Sequence, residues 1–165
     1  MRIYWLNDSL CKGSIGMTAR PRGNDWLEGE IKRLKNIKVD IVISLLEQHE
    51  IIELEIEKEA AFCKENNIKF INYPIKDRSV PDDKSSFLKL IEFMFENLET
   101  QKKIIVHCRM GIGRTGIVVA AFLIKNGMNK NEVFEILSKA RTLKMPDTEE
   151  QSQWVKDLAI ELKSN

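Results

Sequence analysis

Long apolar runs are scarce in this chain of 165 residues. The longest, Ile117 to Ile124, has eight, against the roughly 20 that a helix needs to cross a bilayer, so no membrane span is expected. At the N-terminus, Met-Arg-Ile-Tyr-Trp-Leu-Asn-Asp breaks up its apolar residues before a cleavage site could follow, which argues against a secretory signal. Cysteine is sparse as well. Cys11, Cys63 and Cys108 are an odd number without a Cys-x-x-Cys pair, and the histidines are only His49 and His107. That count opposes a disulfide framework or a zinc site. No metal and no cofactor are therefore expected, and Cys11 and Cys63 read as reduced thiols of a cytoplasmic protein. An excess of one charge is also missing: 26 Lys plus Arg face 25 Asp plus Glu, for a net +1. No overall field advertises a nucleic-acid or membrane partner, and any anion site must be local.

What is there suits a folded domain. Hydrophobic residues make up 43% and charged residues 31%, the ordinary globular range, and the length fits one domain over residues 1–165. Val39 to Leu45, Ile68 to Tyr73 and Ile104 to His107 are rich in β-branched residues and read as buried strands. Helical patterns lie between them, at Asp25 to Lys35, Glu47 to Glu65 and Ser85 to Leu98. Arg114 to Asn126 is apolar almost all round, as a central buried helix would be, with Gly127 at its C-cap. Helices at Lys130 to Arg141 and Thr148 to Lys163 follow, separated by a loop in which Pro146 bars continuity. The alternation predicts an α/β fold, a sheet flanked by helices. The acidic run Glu53 to Glu59 reads as the solvated face of a helix. Met17, Met110 and Met145 could line a rim, although methionines are more often core filler, and no role is assigned to them.

One segment carries chemistry: Ile104-Ile105-Val106-His107-Cys108-Arg109-Met110-Gly111-Ile112-Gly113-Arg114-Thr115-Gly116. Five residues between Cys108 and Arg114 suffice to curl once, turning successive N–H groups inward as an anion nest at the positive end of the next helix. Arg109, Met110, Gly111, Ile112, Gly113 and Arg114 would then surround a phosphate. Gly111 and Gly113 would supply backbone angles closed to other residues, with no Cβ in the way. Arg114 offers a planar fork to two phosphate oxygens. The same dipole and amides favour thiolate over thiol at Cys108, making it a nucleophile. Thr115 can donate its hydroxyl to the sulfur when an intermediate breaks down, and His107 is expected to hydrogen-bond beneath the loop. With three Cys, eight Arg and fourteen Ser plus Thr, Cys-x5-Arg-[Ser/Thr] arises by chance in roughly 1% of such chains. The flanking strand, glycines and helix make coincidence negligible.

His-Cys-Arg-Met-Gly-Ile-Gly-Arg-Thr-Gly resembles the signature of the cysteine-based protein tyrosine phosphatase superfamily, above all its small dual-specificity branch. The likeness is strongest from Tyr73 to Gln151 and continues in layout towards the N-terminus through Ser44-Leu45-Leu46-Glu47. It implies a single-domain α/β fold with a central, mostly parallel sheet, and a two-step hydrolysis through a cysteinyl-phosphate without metal. A phosphate ester needs a proton on its leaving group, and Pro74-Ile75-Lys76-Asp77-Arg78-Ser79-Val80-Pro81 resembles the family's acid loop. This places Asp77 as general acid and then general base. Asp82 and Asp83 more naturally cap the following helix. For the water step the family uses a residue from the segment Asp147-Thr148-Glu149-Glu150-Gln151. Gln151 or Asp147 could serve, and Asp147 as a plain helix cap is the alternative.

Ile75-Lys76-Asp77 stands where the large tyrosine-specific enzymes carry Trp-Pro-Asp, and the chain is too short for their phosphotyrosine-recognition loop. The expected substrate is thus a phosphorylated protein or peptide, phosphotyrosine with phosphoserine and phosphothreonine as further targets, handled by a monomer. Alternatives using the same loop are a phosphoinositide or RNA 5′-triphosphate phosphatase, or a phosphate-recognition module without catalysis. Lipid-directed relatives often place a lysine where Ile112 stands. A nucleotide P-loop lacks its Gly-x4-Gly-Lys-[Ser/Thr], and a sulfurtransferase of the rhodanese kind would leave Asp77 and Arg114 without a purpose. Arg20 and Arg22, beside Pro21 and Gly23, form a basic turn that either overhangs the nest or is simply exposed.

Overall fold

The three β-branched stretches do become strands; Ile41–Ser44 and Lys103–Cys108 are buried by helices packed above and below, whereas Lys69–Asn72, expected to be buried, is an edge strand with exposed ends and a half-buried middle because it pairs on one side only. The computed structural model describes residues 1–6 and 12–164; Cys11 lies outside them. Among the described residues there are five strands: β1 (Ile3–Trp5), β2 (Ser14–Ala19), β3 (Ile41–Ser44), β4 (Lys69–Asn72) and β5 (Lys103–Cys108). They form one sheet in the order β1-β2-β5-β3-β4, with β1 antiparallel to β2 and every other pairing parallel. The helices are α1 (Leu27–Asn36), α2 (Gln48–Glu53), α3 (Glu59–Glu65), α4 (Lys84–Glu99), α5 (Gly113–Lys125), α6 (Val133–Arg141) and α7 (Glu149–Ser164).

Alternation along β5 divides the core. Ile104, Val106 and Cys108 pack with residues of α4, α5, α6 and α7, while Ile105 faces Leu27, Ile31 and Leu34 of α1 and Cys63 of α3. The central strand is therefore covered on both sides, and its C-terminal end is where the chain turns into α5. In open parallel sheets that edge is where ligands bind.

Three further expectations are corrected. Strands β1 and β2 went unrecognised, because Ile3–Trp5 is only three residues long and Ser-Ile-Gly-Met-Thr-Ala has little β-branching. Gly16 is nevertheless required there: a Cβ would sit 2.7 Å from the Ile3 side chain of the neighbouring strand. The single helix expected over Glu47 to Glu65 is two. Helix α2 stops in a Schellman turn, with Glu55 N–H on Ile52 O at 3.0 Å and Ile56 N–H on Ile51 O at 3.1 Å, and Glu55 takes the left-handed φ of 55° that glycine usually supplies. Burial of Ile56 in the α1–α3 core holds that break in place. The acidic run is consequently not one helix face: Glu53, Glu55 and Glu57 are exposed, with Glu53 reaching Arg109, but Glu59 is buried. At the end of α5 the same turn is built as expected, with Gly127 at φ 97° and Met128 N–H on Leu123 O at 2.9 Å.

Candidate active site

Strand β5 delivers Cys108 to the sheet edge, 3% exposed, and the loop beyond it curls under the start of α5. The Gly111 N–H donates to Cys108 Sγ at 3.2 Å, the direction a thiolate needs. Gly111 has φ +69°, and a Cβ there would lie 2.2 Å from Thr18 O, so the loop rests directly on the backbone of β2. Gly113 is different from expectation. Its φ is not positive; a Cβ would instead meet Asp147 Oδ2 at 2.1 Å and Gln151 Oε1 at 3.0 Å.

The loop's carbonyls face outwards because Arg141 of α6 collects them. Its Nη2 donates to Met110 O at 2.9 Å and its Nε to Gly111 O at 3.3 Å, while its guanidinium lies 4.1 Å above the Tyr4 ring of β1. Two of the loop's carbonyls are thereby held outside, and the Gly111 amide is turned to the sulfur. Arg141 was not foreseen, since an arginine at a helix end signals only a favourable dipole contact.

Arg114 is nearly fully buried at 2% exposure, and what permits this is Glu50. The two groups pair in a bidentate fork, Nη1 to Oε2 at 2.5 Å and Nη2 to Oε1 at 2.9 Å. Arg114 Nη1 also faces Leu45 O at 3.4 Å and Ile75 O at 3.1 Å, and Nη2 lies 2.9 Å from Asp77 Oδ1. Burial pushes the Glu50 carboxyl up, but hydrogen bonds from Arg114 and from the Glu47 N–H, the charge of Arg114 and a bond from Arg109 overcome it and bring it down to about 2. Burial likewise opposes the charge on Arg114, and Glu50, Cys108 and Asp77 together hold it above its ordinary value. Glu50 was missed because it doubles as the third residue of a capping box opened by Glu47, which is how its spacing reads in sequence.

Arg109 points away from the loop's interior. Its Nη1 and Nη2 bond Glu53 at 3.0 and 2.6 Å and its Nε bonds Glu50 at 3.3 Å. These carboxylates raise its pKa, Glu53's hydrogen bond acting most strongly. His107 makes no hydrogen bond beneath the loop. Strand alternation aims it at the opposite face from Cys108, where its Nε2 comes within 3.0 Å of Glu59 Oε1, buried on both sides. The approach is off hydrogen-bond alignment, and among the described residues neither ring nitrogen has a hydrogen-bond partner. The Thr115 hydroxyl, fully buried, has no hydrogen-bond partner and does not bond the sulfur. Ile112 is the N-cap of α5 and packs on the core.

A hollow of about 180 Å³ opens over the sulfur, lined by Asp77, Arg78, Cys108, Arg109, Met110, Arg114 and Asp147. Asp77 is thus brought to the site, whereas Asp83 caps α4 by accepting from Ser85 N and Ser86 N. The two candidates of the 147–151 segment separate. Thr148 and Gln151 form a reciprocal capping box, Gln151 N–H on Thr148 Oγ1 at 3.2 Å and Thr148 N–H on Gln151 Oε1 at 3.3 Å. Gln151 Nε2 then donates to Ser79 O of the acid loop at 3.0 Å. Gln151 is fully buried and occupied as a latch; Asp147, released from capping, faces the hollow. Arg20 and Arg22 do not line it: Arg22 pairs with Glu30, and the turn touches the loop only through Arg20 N–H on Arg109 O at 3.4 Å. Met17 and Met145 are core; Met110, 59% exposed, is on the rim.

Solved structures share this arrangement of sheet, loop and helices. Kinase associated phosphatase superposes with a TM-score of 0.90 at 19% identity, covering 100% of this chain and 97% of that one. PTPMT1, solved in complex with PI(5)P, gives 0.78 at 20% identity over 98% and 97%. The fold is that of the cysteine-dependent phosphatases. Residues 27–157 match the model of the family described as Dual specificity phosphatase, catalytic domain, and the chain belongs to that family. Among curated relatives, the Arabidopsis thaliana protein named phosphatidylinositol 3,4,5-trisphosphate 3-phosphatase and protein-tyrosine-phosphatase PTEN1 is 34% identical over 76 residues, 42% of this chain and 17% of that protein. Matched stretches cover from 5% to 30% of such relatives' own length. No helix among the described residues is long and apolar enough to cross a membrane.

Proposed function

We propose that this chain hydrolyses phosphotyrosine, and phosphoserine or phosphothreonine as well, in protein substrates through a cysteinyl-phosphate. The observation that supports it is the convergence on one hollow of a sulfur bonded by a loop amide, the Arg114 fork and the Asp77 carboxyl. In the first step Cys108 Sγ attacks phosphorus while the ester oxygen leaves and takes the proton of Asp77. Arg114 Nη1 is committed to Glu50 and two carbonyls, so the phosphate uses its Nε and Nη2 edge. It thereby displaces Asp77 from Nη2 and frees the acid for the leaving group. In the second step a water gives its proton to Asp77 and its oxygen to phosphorus, the P–S bond breaks, and inorganic phosphate leaves. Asp147 orients that water, because Gln151 is occupied in its latch.

We propose further that it acts as a monomer in the cytoplasm, where thiols stay reduced. Names of relatives also support an inositol-lipid phosphatase. Against it, the additional cation in the loop, Arg109, is bound to Glu50 and Glu53 rather than free for a second phosphate. Hydrolysis of an aryl phosphate and of phosphopeptides, unchanged by chelator and abolished in Cys108→Ser, is the expected result. Turnover surviving that substitution, or release from inositol lipids alone, would overturn the reading.

A further inference from the structure

One side chain lining the hollow has no part in that chemistry. Arg78 follows Asp77 directly, is exposed, and faces the same space as Cys108 and Asp147. The other two guanidiniums there are engaged, Arg114 by Glu50 and Asp77 and Arg109 by Glu50 and Glu53. Arg78 carries no ion pair or hydrogen bond on its side chain among the described residues. Its backbone is left-handed, φ 56°, a conformation disfavoured for any residue with a Cβ. The turn is nevertheless anchored on both sides: Ser79 N–H donates to Lys76 O at 3.1 Å, and Ser79 O accepts from the Gln151 latch at 3.0 Å. An unpaired cation is thus held at the mouth on a fixed turn, beside the acid.

We propose that Arg78 reads an acidic side chain next to the phosphorylated residue of a protein substrate, an inference that rests on the phosphatase reading above. The phosphate itself is served by the loop amides and Arg114, deep in the hollow. Arg78 is on the rim, and consecutive residues of an extended peptide advance only about 3.3–3.6 Å, so a carboxylate one residue from the phosphorylated position comes within reach of its guanidinium. Without such a cation the mouth would repel an acidic peptide, since Asp77 and Asp147 both face it.

The test is kcat/KM on phosphotyrosine peptides identical except for Glu, Gln or Lys beside the phosphotyrosine. Wild type is expected to favour Glu over Gln by about three- to tenfold, the scale of one partly exposed charge-assisted contact, and the preference should shrink as salt rises. Arg78→Ala brings the ratio to about one, Arg78→Lys keeps part of it, and Arg78→Glu turns it towards the Lys peptide. The ratio is the readout because damage to Asp77 or to loop closure would slow all peptides alike. Equal turnover of the three peptides by wild type, or an undiminished ratio in Arg78→Ala, overturns the proposal and leaves the phosphatase reading intact. Failure of wild type to turn over any phosphopeptide overturns both.

Discussion

Two carboxylates hold Arg114 from opposite sides, and they differ in nearly everything else. Beneath the loop, Glu50 is 2% exposed and grips with both oxygens. At the lip, Asp77 is 56% exposed and offers one oxygen at 2.9 Å. The buried pair has no water to replace either partner, so separating it costs the desolvation of two charges. The lip contact exchanges cheaply with solvent. The difference separates two tasks: the underside fixes the guanidinium, and the lip holds a carboxyl that can leave it, as the proposed acid must.

Breaking the underside should have the largest effect. Glu50→Gln leaves Arg114 with an uncompensated buried charge and is expected to cost about 3–5 kcal/mol in urea-unfolding free energy, with activity falling alongside. Breaking the lip, by Asp77→Asn, should leave unfolding free energy within about 0.5 kcal/mol but lower kcat on peptides by ~10²–10⁴, the usual contribution of a positioned acid. Equal stability losses in the two variants would erase the contrast. Acid sharpens it. The Glu50 pKa is depressed from 4.5 to about 2, so the stability it contributes is fully present above 4.5 and disappears as pH falls through about 2. Loss of about 3 kcal/mol over that window should appear in wild-type unfolding curves and be absent in Glu50→Gln. The smallest effect belongs to Gly113→Ala, whose methyl would displace the exposed Asp147 carboxylate at the lip and press more lightly on Gln151 Oε1 at 3.0 Å. Stability should change by less than about 1 kcal/mol, while kcat falls roughly ten- to a hundredfold through misplacement of the water. Asp147→Ala should match it, and the double variant should lose no more than either.

The central strand, the loop and α5 were legible because local pattern and tertiary role coincide there: an apolar run, a tight curl, then an apolar helix. Asp83 as a cap and Gly127 as a helix end were legible for the same reason. Glu55 was not, since the break after α2 depends on Ile56 finding the α1–α3 core rather than on a glycine. Glu50 has the spacing of a capping box and Glu59 looked like a member of a solvated helix face, yet each meets a residue remote in sequence, Arg114 and His107. A charge pattern carries no mark of a partner some fifty to sixty residues away. Thr148 and Gln151, by contrast, display a capping-box spacing, and reading it would have freed Asp147 for the hollow.

The sequence by itself singled out Cys108, Arg114 and Asp77 as candidates: a one-turn anion loop needs a fixed spacing of Cys108, its glycines and Arg114, and spacing is a property of the chain, while Asp77 was marked by the resemblance of its loop. It also determined that strands alternate with helices. Tertiary structure alone decided which charges are spent and which remain free: Glu50 and Glu53 absorb Arg109, Gln151 latches the acid loop, and Arg78 is left unpaired at the mouth. Pairing energies depend on distance and burial between segments remote in sequence, and these exist only once the sheet has brought the segments together.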